Sequence, residues 1–241
     1  GEAVRDHFGQ SVARLEHRDG HWQAFDSAGA RIAEAPALVL ANGLGAGDLA
    51  CSARLPMQAV RGQVSLIPAG ALPALRMPVC REGYVTPALD GWHCVGASYD
   101  LDGDASPRAE CDAGNLHRLA RLLAGFDPEN VPADIGHRVG FRAVPPDRLP
   151  LAGALPDHTA APRPPASRLA HMPRLENAWG LLGYASRGIV WSALMAELVA
   201  SAMEGEPLPL TTDLAEAVDP ARFMLRLARK GKGPASGPPE G

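Results

Sequence analysis

Ala37-Leu38-Val39-Leu40-Ala41-Asn42-Gly43-Leu44-Gly45-Ala46-Gly47 runs five apolar residues without interruption into a glycine-rich turn. A short continuous apolar run suits a strand buried on both faces of a parallel sheet, so the chain is read as entering an α/β layer here. The glycines that follow invite a phosphate-binding reading, in which backbone N–H groups approach a pyrophosphate at a helix N-terminus. The spacing does not complete it: the pattern G-x-G-x-x-G needs glycine where Asp48 stands, and Pro56 intervenes before a helix is established. A nucleotide contact near Gly43 and a plain strand-ending loop both stay open.

Working outward, Ser11 to Glu16 and Trp22 to Asp26 alternate as strands do, with Asp19-Gly20 as the turn of a hairpin. Downstream, Val60 to Ile67, Met77 to Thr86 and Trp92 to Ser98 read as antiparallel strands, with Asp90-Gly91 closing a second hairpin. Leu116, Leu119, Ala120 and Leu123 mark the apolar face of a helix that ends near Gly125 and covers that sheet. Thr159 to Ala166 is a proline- and alanine-rich surface loop. Gly180 to Gly188 opens a helix, Ile189 to Met203, apolar almost all round and therefore expected to be internal. Asp219-Pro220 suits the start of a last helix. The tail from Gly231 is rich in glycine and proline and reads as disordered.

Among 241 residues, 46% are hydrophobic and 21% charged, enough for a core without disulfides or metal. The net charge of -4 excludes a polycation, so any nucleic-acid contact must be a local patch. Arg222, Arg226 and Arg229, extended by Lys230 and Lys232, form a stripe at helical spacing that suits phosphates, the alternative being a cluster that complements a helix C-terminus. Cys51, Cys80, Cys94 and Cys111 lie far apart, which argues against a zinc site and a secreted disulfide scaffold and fits a reducing cytoplasm. No metal site is expected. No run of about 18 apolar residues and no signal pattern is present, so no membrane partner is expected.

Three features carry candidate chemistry. The Gly180 to Gly188 turn, with Gly183, Ser186, Gly188 and Ile189, places N–H donors and the positive end of a helix dipole together. That stabilises an electron-rich group such as a reduced flavin; tight packing of the turn on a neighbouring strand is the other reading. Arg138 and Arg142 stand at i, i+4 on one strand face and Arg187 at the helix mouth, each offering a fork for a carboxylate, although a lone arginine is usually a solvated charge. Tyr84 either closes an acid-binding pocket or is an ordinary half-buried strand tyrosine.

In order, "LVLANG" (38–43), "RGQVS" (61–65), "EGYVTP" (82–87), "GFRAVPPDRLPLAG" (140–153) and "GLLGYASRGIVWSA" (180–193) resemble the glycine oxidase and D-amino-acid oxidase family. "CREGYVTP" (80–87), "CVGASY" (94–99), "DRLPL" (147–151) and "EPLPLTTDLAEAVDPARFMLRL" (206–227) resemble in particular its branch of bifunctional enzymes that modify the wobble uridine of tRNA. The likeness runs from Val4 to about Lys232. It implies α/β plus antiparallel β: a partial, glutathione-reductase-like FAD-binding domain carrying an inserted antiparallel substrate domain of the D-amino-acid oxidase type. The expected parts are 1–60 and 141–205 for the FAD-binding domain, 61–140 for the substrate domain, 206–230 for a C-terminal helical segment and 231–241 for the tail.

The resemblance further implies oxidation of the carboxymethylaminomethyl side chain of the uridine, with hydride passing to the flavin. Water splits the imine into aminomethyl uridine and glyoxylate, and dioxygen is the reoxidant. Arg142 and Arg187 match positions that hold the substrate carboxylate, and Tyr84 a pocket tyrosine. Gly43 matches a contact to the FAD pyrophosphate, Gly183, Ser186, Gly188 and Ile189 the flavin ring, and Val12 a backbone contact to adenine. No cysteine stands in "GFRAVPPD", where sarcosine-oxidase relatives attach flavin, so the FAD is expected to be noncovalent. The family's N-terminal strand, glycine fingerprint and ribose-binding acid have no counterpart here, nor has the fused methyltransferase domain, so the chain reads as part of a longer enzyme. An oxidase of free amino acids such as glycine and a cofactor-free module are the rival readings.

Overall fold

In the computed structural model, which describes residues 4–132, 135–163 and 167–230, contacts divide the chain into two units. Residues 1–58 with 143–241 form the first and residues 59–142 the second. The first unit opens with β1 (Arg14–Arg18), β2 (His21–Phe25) and β3 (Arg31–Ala35), an antiparallel sheet in that order. Asp19 and Gly20 both take positive φ, 50° and 77°, which twists the two-residue turn to match its strands. The sequence reading missed β3. The Asp26 carboxylate closes the turn before it, accepting the N–H groups of Ala28 and Ala30 at 2.9 and 2.8 Å. β4 (Leu38–Leu40) follows and gives way to a 3-10 turn over Gly43–Asp48.

The second unit is a five-stranded sheet of β5 (Gln58–Pro68), β6 (Val79–Cys80), β7 (Tyr84–Val85), β8 (Trp92–Gly96) and β9 (Gly136–Val144), in the order β6-β7-β8-β5-β9. The single strand expected over Met77 to Thr86 is two short strands. The chain turns at Arg81–Gly83, where the Arg81 N–H reaches the Gly83 carbonyl at 2.8 Å. α1 (Ala109–Leu122) covers one face, and alternation sorts the residues. Val79, Val85, Val95 and Ile67 pack with Leu119. Cys80, Tyr84, Gly96 and Cys94 are cross-strand or diagonal neighbours on the opposite face.

Back in the first unit, β10 (Leu151–Pro156) and β11 (Arg174–Leu182) are antiparallel, and β4 joins β11 in parallel with Leu40 opposite Gly180. The apolar run thus sits in a parallel pair, but it is not buried on both faces. Leu40 joins the core with Leu151, Leu155 and Leu182, while Val39 faces the other way and is exposed. α2 (Gly188–Glu204) departs from expectation likewise. It buries Met195, Leu198 and Val199 with Ala152 and Val218, and leaves Ile189 and Val190 97% and 81% exposed. An all-apolar surface does not say which side meets a neighbour; only the side on β10 and β11 does.

α3 (Thr212–Val218) and α4 (Arg222–Arg229) end the described chain. α4 starts two residues later than an Asp219 cap implies, although the Asp219 carboxylate does accept the Ala221 N–H at 2.7 Å. Arg222 is 4% exposed, so the expected phosphate-facing stripe is broken at its first member. It grips Asp147 with two bonds of 2.9 and 2.8 Å and donates to the carbonyls of Leu149, Pro150 and Val218. The side chain is an internal clamp. Residues 159–163 form no regular element, as expected for the loop. Pro164 to Ala166, and the tail over 231–241 expected to be disordered, with Lys232, lie outside the described residues.

Candidate functional site

Parallel pairing of β4 and β11 brings their C-terminal ends to the same edge of the sheet, where α/β folds bind ligands. β4 runs into Gly43 and β11 into Gly183, both in the left-handed region at φ 60° and 67°. A methyl group added at Gly43 would meet nothing within 4 Å, so this turn is open. At Gly183 it would fall 2.6 Å from Cγ of Pro145, and at Gly180, inside β11, 2.9 Å from Cδ2 of Leu155. At those two glycines the backbone is pressed against neighbouring side chains.

The exit of the turn behaves differently. Ala185 donates to the Ala143 carbonyl and Arg187 to that of Tyr184, both at 3.0 Å, which fixes the turn. Arg187 stands at the N-cap and lends α2 no side-chain cap. The first N–H groups of the helix, from Gly188, Ile189 and Val190, therefore have no side-chain acceptor at the positive end of the dipole. Ser186 and Arg187 are exposed, and Ile189 and Val190 are bare apolar surface beside those donors. Uncapped donors next to a bare apolar step suit the edge and face of a flavin ring, so the residues present fit the group. Val12 is exposed in the stretch leading into β1, whose sheet is separate from the one carrying the two turns.

In the second unit, Arg142 is half-buried near the end of β9. Its guanidinium lies over the backbone of β5: a methyl group on Gly62 would come 2.6 Å from Cζ of Arg142. One nitrogen donates to the carbonyls of Arg61 and Ser98 at 3.3 and 3.5 Å, and the Tyr99 ring centroid is 5.7 Å from Cζ. Among the described residues no carboxylate pairs with Arg142. A guanidinium held by neutral groups and left without a counter-ion is prepared for an anionic ligand.

The phenol of Tyr84 stands 3.9 Å from Sγ of Cys94 on the sheet face opposite α1. Burial pushes its pKa up to about 12; Cys94 adds to the shift and the Arg142 charge pulls part of it back. At physiological pH it is thus a neutral hydrogen-bond donor. Gly96 leaves it room, since a methyl group there would be 3.0 Å from the phenol oxygen. Tyr84 and Arg142 both belong to the second unit, close enough for the guanidinium charge to act on the phenol. Arg138 is exposed. Arg187 belongs to the first unit, exposed and without an ion-pair partner among the described residues.

The sequence reading missed Gly62, Ser98 and Tyr99. A lone glycine inside the strand pattern of "RGQVS" was the available signal, because such a glycine marks close approach of another group. His17 and His21, four residues apart, flank the first hairpin turn; His17 stacks on Trp22 and His21 bonds the Asp19 carbonyl at 3.2 Å. Among the described residues no three His, Cys, Asp or Glu are arranged to hold a metal, and no helix is long and apolar enough to cross a membrane.

Comparison with known proteins places this geometry. The chain is 46% identical over 239 residues to the tRNA 5-methylaminomethyl-2-thiouridine biosynthesis bifunctional protein MnmC of Burkholderia mallei (strain SAVP1), covering 96% of this chain and 36% of that protein. The MnmC of Azoarcus sp. (strain BH72) is 46% identical over 234 residues, covering 97% and 36%. The chain thus spans about a third of the length of these curated relatives. Glycine oxidase from Geobacillus kaustophilus shares the fold at TM-score 0.61 and 20% identity, over 86% of this chain and 51% of that one. L-proline dehydrogenase from P. horikoshii does so at 0.65 and 18%, over 89% and 54%. The family profile described as DAO, FAD dependent oxidoreductase, matches residues 2–202, and by that match the chain belongs to the DAO family of FAD dependent oxidoreductases.

Proposed function

We propose that this chain is the oxidase part of a tRNA-modifying flavoenzyme that removes the carboxymethyl group from 5-carboxymethylaminomethyl(-2-thio)uridine at the wobble position. The amine N–CH2 bond is oxidised to an imine. Water then splits it, giving the aminomethyl uridine and glyoxylate, while dioxygen takes up the two electrons and two protons as hydrogen peroxide. Noncovalent FAD, when bound, supplies the acceptor for the hydride leaving the substrate's glycine-like carbon. The observation that carries the reading is Arg142, a half-buried guanidinium held through one nitrogen by backbone carbonyls and with no counter-ion among the described residues. Such a group suits the carboxylate that distinguishes this substrate from other uridine side chains.

In this reading Arg142 binds and orients the carboxylate, and the Tyr84 phenol donates a neutral hydrogen bond beside it. Arg187, exposed at the mouth of α2, is a second ligand for the carboxylate. Gly43 lies by the FAD pyrophosphate and Val12 by the adenine. Gly183, Ser186, Gly188 and Ile189 lie by the flavin ring. Residues 61–140 serve as the substrate domain, 1–60 and 141–205 as the FAD-binding domain, and a methyltransferase domain is the partner in the whole, cytoplasmic protein. The names of the relatives at 46% identity support the tRNA substrate.

The test is to supply the flavin-loaded protein either with tRNA bearing the carboxymethylaminomethyl group or with free glycine, and to measure glyoxylate and nucleoside products by mass spectrometry. Glyoxylate in step with aminomethyl uridine is the expected result. Turnover of glycine with the tRNA left unchanged would replace this reading by a free amino-acid oxidase.

A further inference from the structure

α4 does carry cations, yet the row expected along it is not what faces outward. Arg222 is buried on Asp147, and Arg226 shares that carboxylate at 3.0 Å while 52% exposed. Towards the end of α4, exposed Arg229 donates to the Ser167 carbonyl at 2.6 Å, drawing the last turn onto the loop before β11. Leu169 and Met172 of that loop pack with Ala221, Met224 and Leu225, so loop and helix form one body. The Arg163 N–H bonds the His171 carbonyl at 2.9 Å, which fixes Arg163 to the same body. Arg163 and Arg168 are exposed there, as Lys230 is at the end of the helix.

Five cations, Arg163, Arg168, Arg226, Arg229 and Lys230, thus share a continuous surface of the first unit in a chain whose net charge is -4. The neighbouring carboxylates have partners of their own: Asp157, whose N–H reaches the Pro173 carbonyl, accepts from the Thr159 N–H and hydroxyl at 2.8 and 2.6 Å. Asp147 is already bonded by Arg222 and Arg226, Asp219 is held by Arg174 at 2.8 and 2.9 Å, and Glu216 borders the cavity under Ala170. Complementing the helix dipole accounts for Arg226 and Arg229 in the last turn of α4. It does not account for Arg163 and Arg168, which stand on a different segment. Cations from two segments, fixed to one body, match a ligand with regularly spaced negative charges.

We propose that this surface, built from the exposed side of α4 with Arg163 and residues 167–171, binds the phosphate backbone of the tRNA. The proposal rests on the tRNA reading above and names its docking surface. Lys230 and the guanidinium groups of Arg163, Arg168 and Arg229 contact phosphates; Arg226 adds charge while tied to Asp147; Arg222 takes no part.

The experiment compares the flavin-loaded wild-type protein with R163Q/R168Q/R229Q/K230Q, titrating an unmodified tRNA transcript across a series of salt concentrations. Affinity at low salt is expected to fall at least about tenfold, with the slope of log affinity against log salt flattened by up to about 3 units. Flavin absorbance and turnover of a small carboxymethylamine should be unchanged. Because Arg229 also tethers the loop, R163Q/R168Q/K230Q serves as the second variant, with about two units of slope lost and the melting temperature kept. If wild type binds and oxidises tRNA while both variants keep its affinity and slope, the surface assignment is overturned and the function stands. An acidic protein partner is then what remains for the patch. If wild type oxidises the small amine but binds no tRNA, the tRNA reading and this surface both fall and the oxidase stands.

Discussion

Arg142 owes its position to what is missing from β5: with any side chain at residue 62, its guanidinium has no place to lie. The group displaced by a methyl there is the far end of a flexible side chain, so Gly62→Ala should cost little stability while turning the fork away from the substrate. We expect a melting temperature within a degree or two of wild type, a KM for the tRNA substrate raised about tenfold, and a smaller change in kcat. A variant with unchanged KM would show that the platform is incidental. Arg142→Ala removes the charge itself; a charged hydrogen bond contributes about 1.5–3 kcal/mol, so kcat/KM should fall roughly 10- to 100-fold with flavin still bound. Tyr84 is a subtler case. With its pKa pushed up to about 12, the phenol keeps its proton through the whole working range and acts as a donor, not a base. Tyr84→Phe should therefore lower kcat/KM by the worth of one neutral hydrogen bond, roughly 3- to 10-fold, by the same factor at pH 7 and pH 10. An alkaline limb in the wild-type profile that vanishes in this variant would mean the phenol ionises during turnover.

At the scale of elements, the legible parts were those in which local chemistry and fold agree. Asp19-Gly20 and Asp90-Gly91 gave their turns because aspartate and glycine tolerate the positive φ such turns need, and both pairs adopt it. The apolar run over residues 38–40 led to the parallel strand. What failed was facing. α2 is apolar on every side, so its sequence holds no signal for which side meets β10 and β11. In the glycine turn before it, spacing could not show that Gly180 and Gly183 lie against Leu155 and Pro145, or that α2 starts without a side-chain cap. That start can be tested without harming the helix. Ile189→Asp puts a carboxylate in a first turn whose dipole favours it, at a side chain that is 97% exposed, so the fold should be as stable or slightly more so. If the apolar step and its donors hold the flavin ring, affinity for FAD in a fluorescence titration should nevertheless drop tenfold or more. Unaltered affinity would place the ring elsewhere.

Across the whole molecule, what the sequence left unread were contacts between distant segments. Nothing local marks Arg61, fully buried with its guanidinium shared among Asp100, Gln63 and the carbonyls of Asp104 and Ser106, as different from any surface arginine. Arg222 was misread for the same reason: helical periodicity put it in a row with Arg226 and Arg229, and only its partner 75 residues earlier shows it to be structural. The Asp147–Arg222 clamp yields the prediction that belongs to this scale, because it fixes α4 to the segment joining β9 and β10. Removing one partner of a buried ion pair leaves the other uncompensated, at a cost of about 3–5 kcal/mol. Asp147 is partly exposed and Arg222 keeps its carbonyl acceptors, so Asp147→Asn should fall at the lower end, about 3 kcal/mol, or roughly 6–12 °C in melting temperature at this chain length. Arg226→Gln, losing an exposed partner, should cost no more than about 1 kcal/mol. The pH dependence has a definite sign. Burial works to raise the Asp147 carboxyl, but the bonds and charge of Arg222, with the Leu149 N–H and Arg226, together outweigh it and hold the group below the ordinary carboxylate range. A carboxyl with a lowered folded pKa gives its full stability above the unfolded value, near pH 4, and loses it as pH falls through the lowered folded value. Wild type should therefore exceed Asp147→Asn in stability by a constant margin from pH 5 to 8, with the margin shrinking below pH 4 as the wild-type carboxylate takes up its proton. Thermal denaturation of both proteins across that range reads this directly. Equal stability of the two proteins at pH 7 would show that α4 is held by its apolar contacts with Leu169 and Met172 and that the clamp contributes nothing; a margin that did not shrink in acid would show that it does not come from the charge on Asp147.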